Sequence, residues 1–170
     1  MNTVSPDSVA QDQLRAFIER IEQTTGIVVE TIPGDREVEL TFLGLSRTID
    51  RNGTMVVADI GGGSTELIVA VDGEMISGIS LPIGSGRITD EFPPGDPPNS
   101  DVIKTMRAQV RRRIGHLELP ARSARLVIVG GTGEYLGRLL PRDFPVPVGL
   151  VETALQSTCT MTSAELSNMI

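Results

Sequence analysis

The chain has 170 residues, 39% hydrophobic but only 3% aromatic, with a formal net charge of -7. That length fits one compact domain with or without a short extension, built on an aliphatic core, and the acidic balance excludes a general electrostatic grip on DNA or RNA, which needs many Lys and Arg contacts to phosphate. A single cysteine, Cys159, and a single histidine, His116, exclude an internal disulfide framework, a multi-Cys zinc site and a His-rich metal site. The beginning of the sequence carries no apolar signal stretch and no run reaches membrane-spanning length, so it reads as a soluble cytoplasmic protein with no membrane partner.

In chain order, Leu14, Phe17, Ile18 and Ile21 recur at helical spacing and predict a first helix, capped by Asp7 or Ser8 and closed by Gly26. The β-branched run from Ile27 to Ile32 predicts a strand, broken by Pro33-Gly34-Asp35. Asp35 caps a second helix to about Leu45, with Val38, Phe42 and Leu45 inward, and Arg47 to Gly53 is a polar loop. Thr54 to Leu81 predicts a three-strand antiparallel meander. Its first strand, Met55-Val56-Val57-Ala58, is apolar throughout and is expected to be buried on both faces. Asp72-Gly73 marks the second turn, because a type I′ turn needs positive φ at both central residues. Gly84 and Gly86 lead into a short helix ending near Phe92, and the four prolines between Pro93 and Asn99 make a loop. Ser100 is expected to cap a long helix with Ile103, Met106, Val110, Ile114 and Leu117 buried. Arg125 to Val129 predicts another buried strand, followed by a turn over Gly130-Gly131-Thr132-Gly133 and a helix from Glu134 to Leu140. Thr162-Ser163-Ala164-Glu165 has capping-box spacing and opens a last helix near the end of the chain, which suggests an artificial C-terminus.

Two segments have the chemistry to hold phosphate. In Asp59-Ile60-Gly61-Gly62-Gly63-Ser64-Thr65 a buried strand ends in a carboxylate, three glycines and two hydroxyls. Three glycines cost backbone entropy, about 0.5–1 kcal/mol each relative to Ala in regular structure. They make sense where backbone approaches a ligand closely, so that amides and the Ser64 and Thr65 hydroxyls surround phosphate oxygens. Asp59 can hold Mg²⁺ or its water shell. The plain alternative is a flexible hairpin. Val127-Ile128-Val129-Gly130-Gly131-Thr132-Gly133 repeats the logic, with a helix N-terminus that favours an anion; by itself such a segment is more often a tight strand-to-helix connection. Arg111-Arg112-Arg113 reads as a solvated helix face. On the residues alone Glu37 reads as a solvated carboxylate, like Asp35 and Glu39.

Asp59-Ile-Gly-Gly-Gly-Ser-Thr-Glu-Leu67 resembles the second phosphate-binding signature of the acetate and sugar kinase, heat-shock-70 and actin superfamily. Within it the chain is most similar to the exopolyphosphatase / guanosine pentaphosphate phosphatase family. Ile32 to Leu40 resembles that family's Ile-Ser-Gly-x-Glu-Glu-Ala-x-Leu segment, and Ser80 to Gly84 with Arg87, Thr89 and Phe92 resembles the strand and helix after its glycine loop. Gly131-Thr132 matches its later turn, and the likeness fades beyond residue 140. Pro33, Arg36, Val38 and Gly133-Glu134-Tyr135 depart from the pattern, and no first phosphate signature precedes residue 26. The resemblance implies an α/β fold of the ribonuclease-H-like, actin-like ATPase type, an antiparallel meander extended by parallel strands with flanking helices. It also implies that residues 1–26 are a helix and lead-in from a missing first domain, and that 27–170 form a truncated phosphatase domain. The activity implied is Mg²⁺-dependent hydrolysis of terminal phosphoanhydride bonds in polyphosphate or guanosine pentaphosphate by a full-length parent, the fragment alone being inactive. Glu37 is the implied catalytic base, Asp59 the metal ligand, and Gly61, Gly62, Gly63, Ser64, Thr65, Gly130, Gly131 and Thr132 the phosphate ligands. Homodimerisation of the parent is left open. The alternatives are an ATP-binding sugar-kinase or chaperone-type domain, or a non-catalytic phosphate or nucleotide sensor.

Overall fold

A computed structural model describes residues 6–45, 47–120, 124–141 and 145–169, with side chains from residue 11 onward. The chain divides into two compact units, Met1–Pro33 and Gly34–Ile170. The first holds α1 (Pro6–Thr25); the caps expected at Asp7 or Ser8 fall outside the described side chains. Gly26 closes α1 as expected: its φ is +70°, and its amide donates to the Glu22 carbonyl at 2.9 Å. The strand expected over residues 27–32 does not form. The segment has no ladder partner among the described residues, and Val28 is 85% exposed. β-branched residues favour the extended conformation, but a strand also needs a neighbour for its amides and carbonyls.

The second unit is a four-stranded sheet in the order β3-β2-β1-β4. β1 (Thr54–Ile60), β2 (Thr65–Val71) and β3 (Glu74–Leu81) form the expected meander, and β4 (Arg125–Val129) extends it parallel to β1. The Asp72-Gly73 turn has φ of 49° and 83°, the pair of positive values its sequence calls for. β1 is central and apolar, and Met55, Val56, Val57 and Ala58 are all buried. α2 (Gly34–Leu45) lies on one face of the sheet. Val38 of α2 joins Met55, Val57, Ile68 and Ala70 in the core, with Phe42 and Leu45 packed beside them. The helix comes this close because β3 carries Gly78, where a Cβ would overlap Val38.

α3 (Ser85–Glu91) follows the sheet, then α4 (Ser100–Ile114), which is capped by Asn99 rather than Ser100. Asn99 Oδ1 accepts from the amides of Asp101 and Val102 at 2.9 and 3.3 Å, leaving Ser100 as the first helical residue. The apolar stripe of α4 is only half-buried. β4 is not the buried strand its composition suggests, since it lies at the sheet's edge and Leu126 is 64% exposed. α5 (Gly130–Leu139) begins four residues earlier than expected, so Gly130 to Gly133 are its first turn and not a separate loop. α6 (Val148–Thr158) has no counterpart in the sequence reading: its first turn contains Gly149 and it lacks a side-chain cap. α7 (Ser163–Met169) opens on the expected capping box, the Thr162 amide donating to Glu165 Oε2 at 2.8 Å and the Glu165 amide to Thr162 Oγ1 at 3.2 Å. Among the described residues no helix is long and apolar enough to cross a membrane.

Candidate active site

At one end of the sheet a polar row crosses three strands. Asp59 on β1 lies opposite Glu66 on β2, and Glu66 lies opposite Ser80 on β3. Directly opposed residues share a face, so the two carboxylates stand together on the side covered by α2. Glu66 is the buried charged side chain among the described residues, 2% exposed, and Ser80 Oγ donates to its Oε1 at 2.7 Å. Gly34 at the start of α2 packs so closely on Ser80 that a Cβ there would overlap it. This sets the first turn of α2, with exposed Glu37, over the row. One turn further on, Thr41 Oγ1 donates to Asp59 Oδ2 at 3.4 Å. The Glu37 carboxyl is held above its ordinary range, first by partial desolvation and then by the charges of Glu66 and Asp59.

Beyond Asp59 the chain enters the glycine loop. The Gly61 amide donates to the Ser64 carbonyl at 3.0 Å and closes a tight turn. The carbonyls of this loop point at α3: Ser85 N donates to Gly61 O at 2.8 Å, Arg87 N to Gly62 O at 2.9 Å, and Arg87 Nε to Gly63 O at 3.2 Å. Gly84 permits that contact, because a Cβ on it would run into the Gly62 backbone. With its carbonyls bound, the loop leaves the amides of Gly62, Gly63 and Ser64 without hydrogen-bond acceptors among the described residues. The space where side chains of Gly62 and Gly63 would stand is open.

The second loop arrives from β4. Val129 pairs with Asp59, and Gly130, at φ +73°, lies so close to Asp59 Oδ1 that a Cβ would overlap it. Thr132 Oγ1 donates to the Ile60 carbonyl at 3.0 Å, tying the start of α5 to the end of β1. The first amides of α5 have no intrahelical acceptors. Gly61 and Gly62 therefore meet Gly131 and Thr132 across an open cleft of about 310 Å³, lined also by Ile60, Ser85 and Tyr135.

Of the residues singled out in the sequence, Gly61, Gly62, Gly131 and Thr132 line this cleft, whereas Gly63, Ser64, Thr65, Gly130, Asp59 and Glu37 do not. The Thr65 hydroxyl is used internally, donating to the Ile83 carbonyl. Asp59 and Glu37 belong to the adjoining carboxylate group. The sequence reading gave no role to Glu66, Arg87, Ser85 or Tyr135. Glu66 had a signal: it falls in step with Ile68 and Ala70 on the core face of β2, where an unpaired carboxylate is costly. No three His, Cys, Asp or Glu side chains among the described residues form a metal cage. Asp59 and Glu66, opposite each other in the sheet, are the carboxylates that could hold a cation such as Mg²⁺, which needs only one or two of them.

A parallel strand added to an antiparallel meander, with glycine-rich connections at the ends of both β1 and β4, is the architecture of the actin-like ATPase fold. The Ppx/GppA phosphatase family model matches residues 12–166, and the chain belongs to that family. It is similar to solved members: the Aquifex aeolicus PPX-GPPA enzyme (TM-score 0.73, 26% identity, 93% of this chain and 56% of that one) and an exopolyphosphatase-like protein (TM-score 0.76, 28% identity, 90% and 53%). Among curated relatives, exopolyphosphatase 1 of Mycobacterium bovis is 37% identical over 91 residues, 53% of this chain and 26% of that protein. An uncharacterized protein of Streptomyces coelicolor is 38% identical over 105 residues, 59% of this chain and 31% of that protein. The chain thus spans about half the length of the solved relatives and its matched segment about a quarter to a third of the curated ones.

Proposed function

We propose that this chain supplies one wall of a cleft that hydrolyses terminal phosphoanhydride bonds of inorganic polyphosphate. The observation that carries the reading is the meeting of two glycine-containing loops, far apart in sequence, across one cleft beside a group of three carboxylates. In this reading the amides of Gly62, Gly63 and Ser64 and the first amides of α5 hold the phosphate oxygens. Arg87, fixed through its Nε to the glycine loop, offers its remaining guanidinium donors to the same anion. Glu37 takes a proton from the attacking water as the water oxygen bonds to the terminal phosphorus. The bridging P–O bond breaks, and the shortened chain leaves with the electron pair. A carboxylate held above its ordinary pKa is a better proton acceptor than a free one. Asp59, with Glu66 opposite, would hold Mg²⁺, which when bound neutralises charge on the phosphoryl oxygens.

Phosphoryl transfer depends on positioning and on charge stabilisation from both sides of the reacting group, so turnover belongs to a longer assembled protein and the isolated chain releases little phosphate. Polyphosphate is put first because it is the substrate in the name of the mycobacterial relatives; guanosine pentaphosphate offers the same terminal bond. The test is phosphate release from long-chain polyphosphate by the longest available form of the protein. Glu37→Gln should lower turnover by about 10²–10⁴-fold, the range for loss of a general base. The Asp59→Asn defect should shrink as Mg²⁺ is raised. Near-normal release by Glu37→Gln would remove the base assignment and favour a phosphate-sensing role.

A further inference from the structure

Tyr135 has no part in the catalytic scheme above, yet it stands in the wall of the cleft with Gly61, Gly62, Gly131 and Thr132. It is half-buried, and its hydroxyl has no hydrogen-bond partner among the described residues. Its place follows from helix geometry. On α5, Gly131 and Thr132 precede Tyr135 by four and three residues, so all three share one face of the helix. Thr132 is pinned to the Ile60 carbonyl at the end of β1, which orients this face of the helix toward the cleft, with Tyr135 in its wall.

The chemistry of the cleft gives a phenol there a use. The chain is acidic overall, Arg87 is the cation bonded to the glycine loop, and the Ser85 hydroxyl is taken up by the Gly61 carbonyl at 3.2 Å. The Thr132 hydroxyl donates to Ile60. A phosphate chain entering this cleft needs donors that stay neutral beside carboxylates. A tyrosine hydroxyl, with an ordinary pKa of about 10, donates to an anion without itself carrying charge. The ring and Ile60 form an apolar wall beside the amides, and a wall that excludes water strengthens each hydrogen bond to the anion.

We propose that Tyr135 is a substrate-positioning residue whose hydroxyl donates to a phosphoryl oxygen of a phosphate chain lying between the two glycine-containing loops. The assignment rests on the phosphate reading of the cleft.

The chain contains one tyrosine and no tryptophan, so its intrinsic emission reports on Tyr135 alone. Inorganic tripolyphosphate is titrated into the full chain while tyrosine emission and backbone amide shifts are both followed. The expected result is a saturating change in emission with the same midpoint as the shifts of Gly62 and Gly131. Tyr135→Phe, which keeps the ring, should weaken tripolyphosphate binding about 10-fold, the scale of one hydrogen bond to a charged group, with an unchanged melting temperature. Amides that move with wild-type affinity in Tyr135→Phe overturn the role of Tyr135 and leave the phosphate cleft standing. Amides that do not move at all sink the cleft reading itself. Guanosine triphosphate provides the remaining arm: affinity kept in Tyr135→Phe but lost in Tyr135→Leu would mean the ring stacks on a base, which also overturns the proposal.

Discussion

Glu37 is the proposed general base, and its titration has a definite sign. Its pKa in the fold lies above the ordinary value of 4.5, so the folded chain holds that proton more tightly than the unfolded chain does. The stability linked to it is fully present below the unfolded pKa and is lost as pH rises through the higher folded pKa. Glu37→Gln removes this loss. The variant should therefore gain in melting temperature relative to wild type on going from acid to neutral pH, by a small amount because the side chain is exposed and screened. A pH-independent difference would contradict the desolvated, like-charged surroundings. If Glu37 is the base, the acid limb of activity should fall above the range of a free glutamate. Glu66→Gln removes one of the two raising charges, so the Glu37 carboxyl, followed by carbon-detected NMR, should titrate at lower pH in that variant. Gly130 is a separate case: its positive φ and its approach to Asp59 exclude any side chain. Gly130→Ala should destabilise the chain by about 1–3 kcal/mol in denaturant unfolding, the cost of one strained backbone position.

At the level of elements, stability should concentrate in the pairing of α2 with the sheet. Ile68 is 0% exposed at the centre of that contact, and Ile68→Ala should cost about 2–5 kcal/mol in unfolding experiments. Asn99→Ala removes the α4 cap and should cost about 1 kcal/mol; a loss as large as that of Ile68→Ala would contradict the half-buried packing of α4. What the sequence revealed followed the same division. β1 to β3 and the Asp72-Gly73 turn were legible because strand composition and turn chemistry are local properties. So were the α1 closure at Gly26 and the capping box of α7. Residues 27–32 and β4 were misjudged because pairing and edge position are tertiary facts: the first has the composition of a strand without a neighbour, and the second has a core composition at a sheet edge. The glycine loops were legible as unusual backbone. The Glu37, Asp59 and Glu66 group was not, since it comes from the register between β1 and β2 and from Gly34 seating α2 on Ser80.

For the molecule as a whole, the central claim is that two backbone loops, far apart in sequence but at the same end of the sheet, act as one anion site. The prediction belongs to the folded chain and needs no catalysis, so it can be tested on these 170 residues even if turnover requires more of the protein. Affinity should be weak, because in the proposed reading the chain supplies one wall of the cleft. The direct measurement is an NMR titration with inorganic phosphate, following backbone amides. The account predicts that Gly62, Gly63, Ser64, Gly131 and Thr132 shift together along a single binding curve, while the amides of α6 and α7 stay in place. Two separate curves for the two loops, or shifts that spare both and scatter elsewhere, would contradict it.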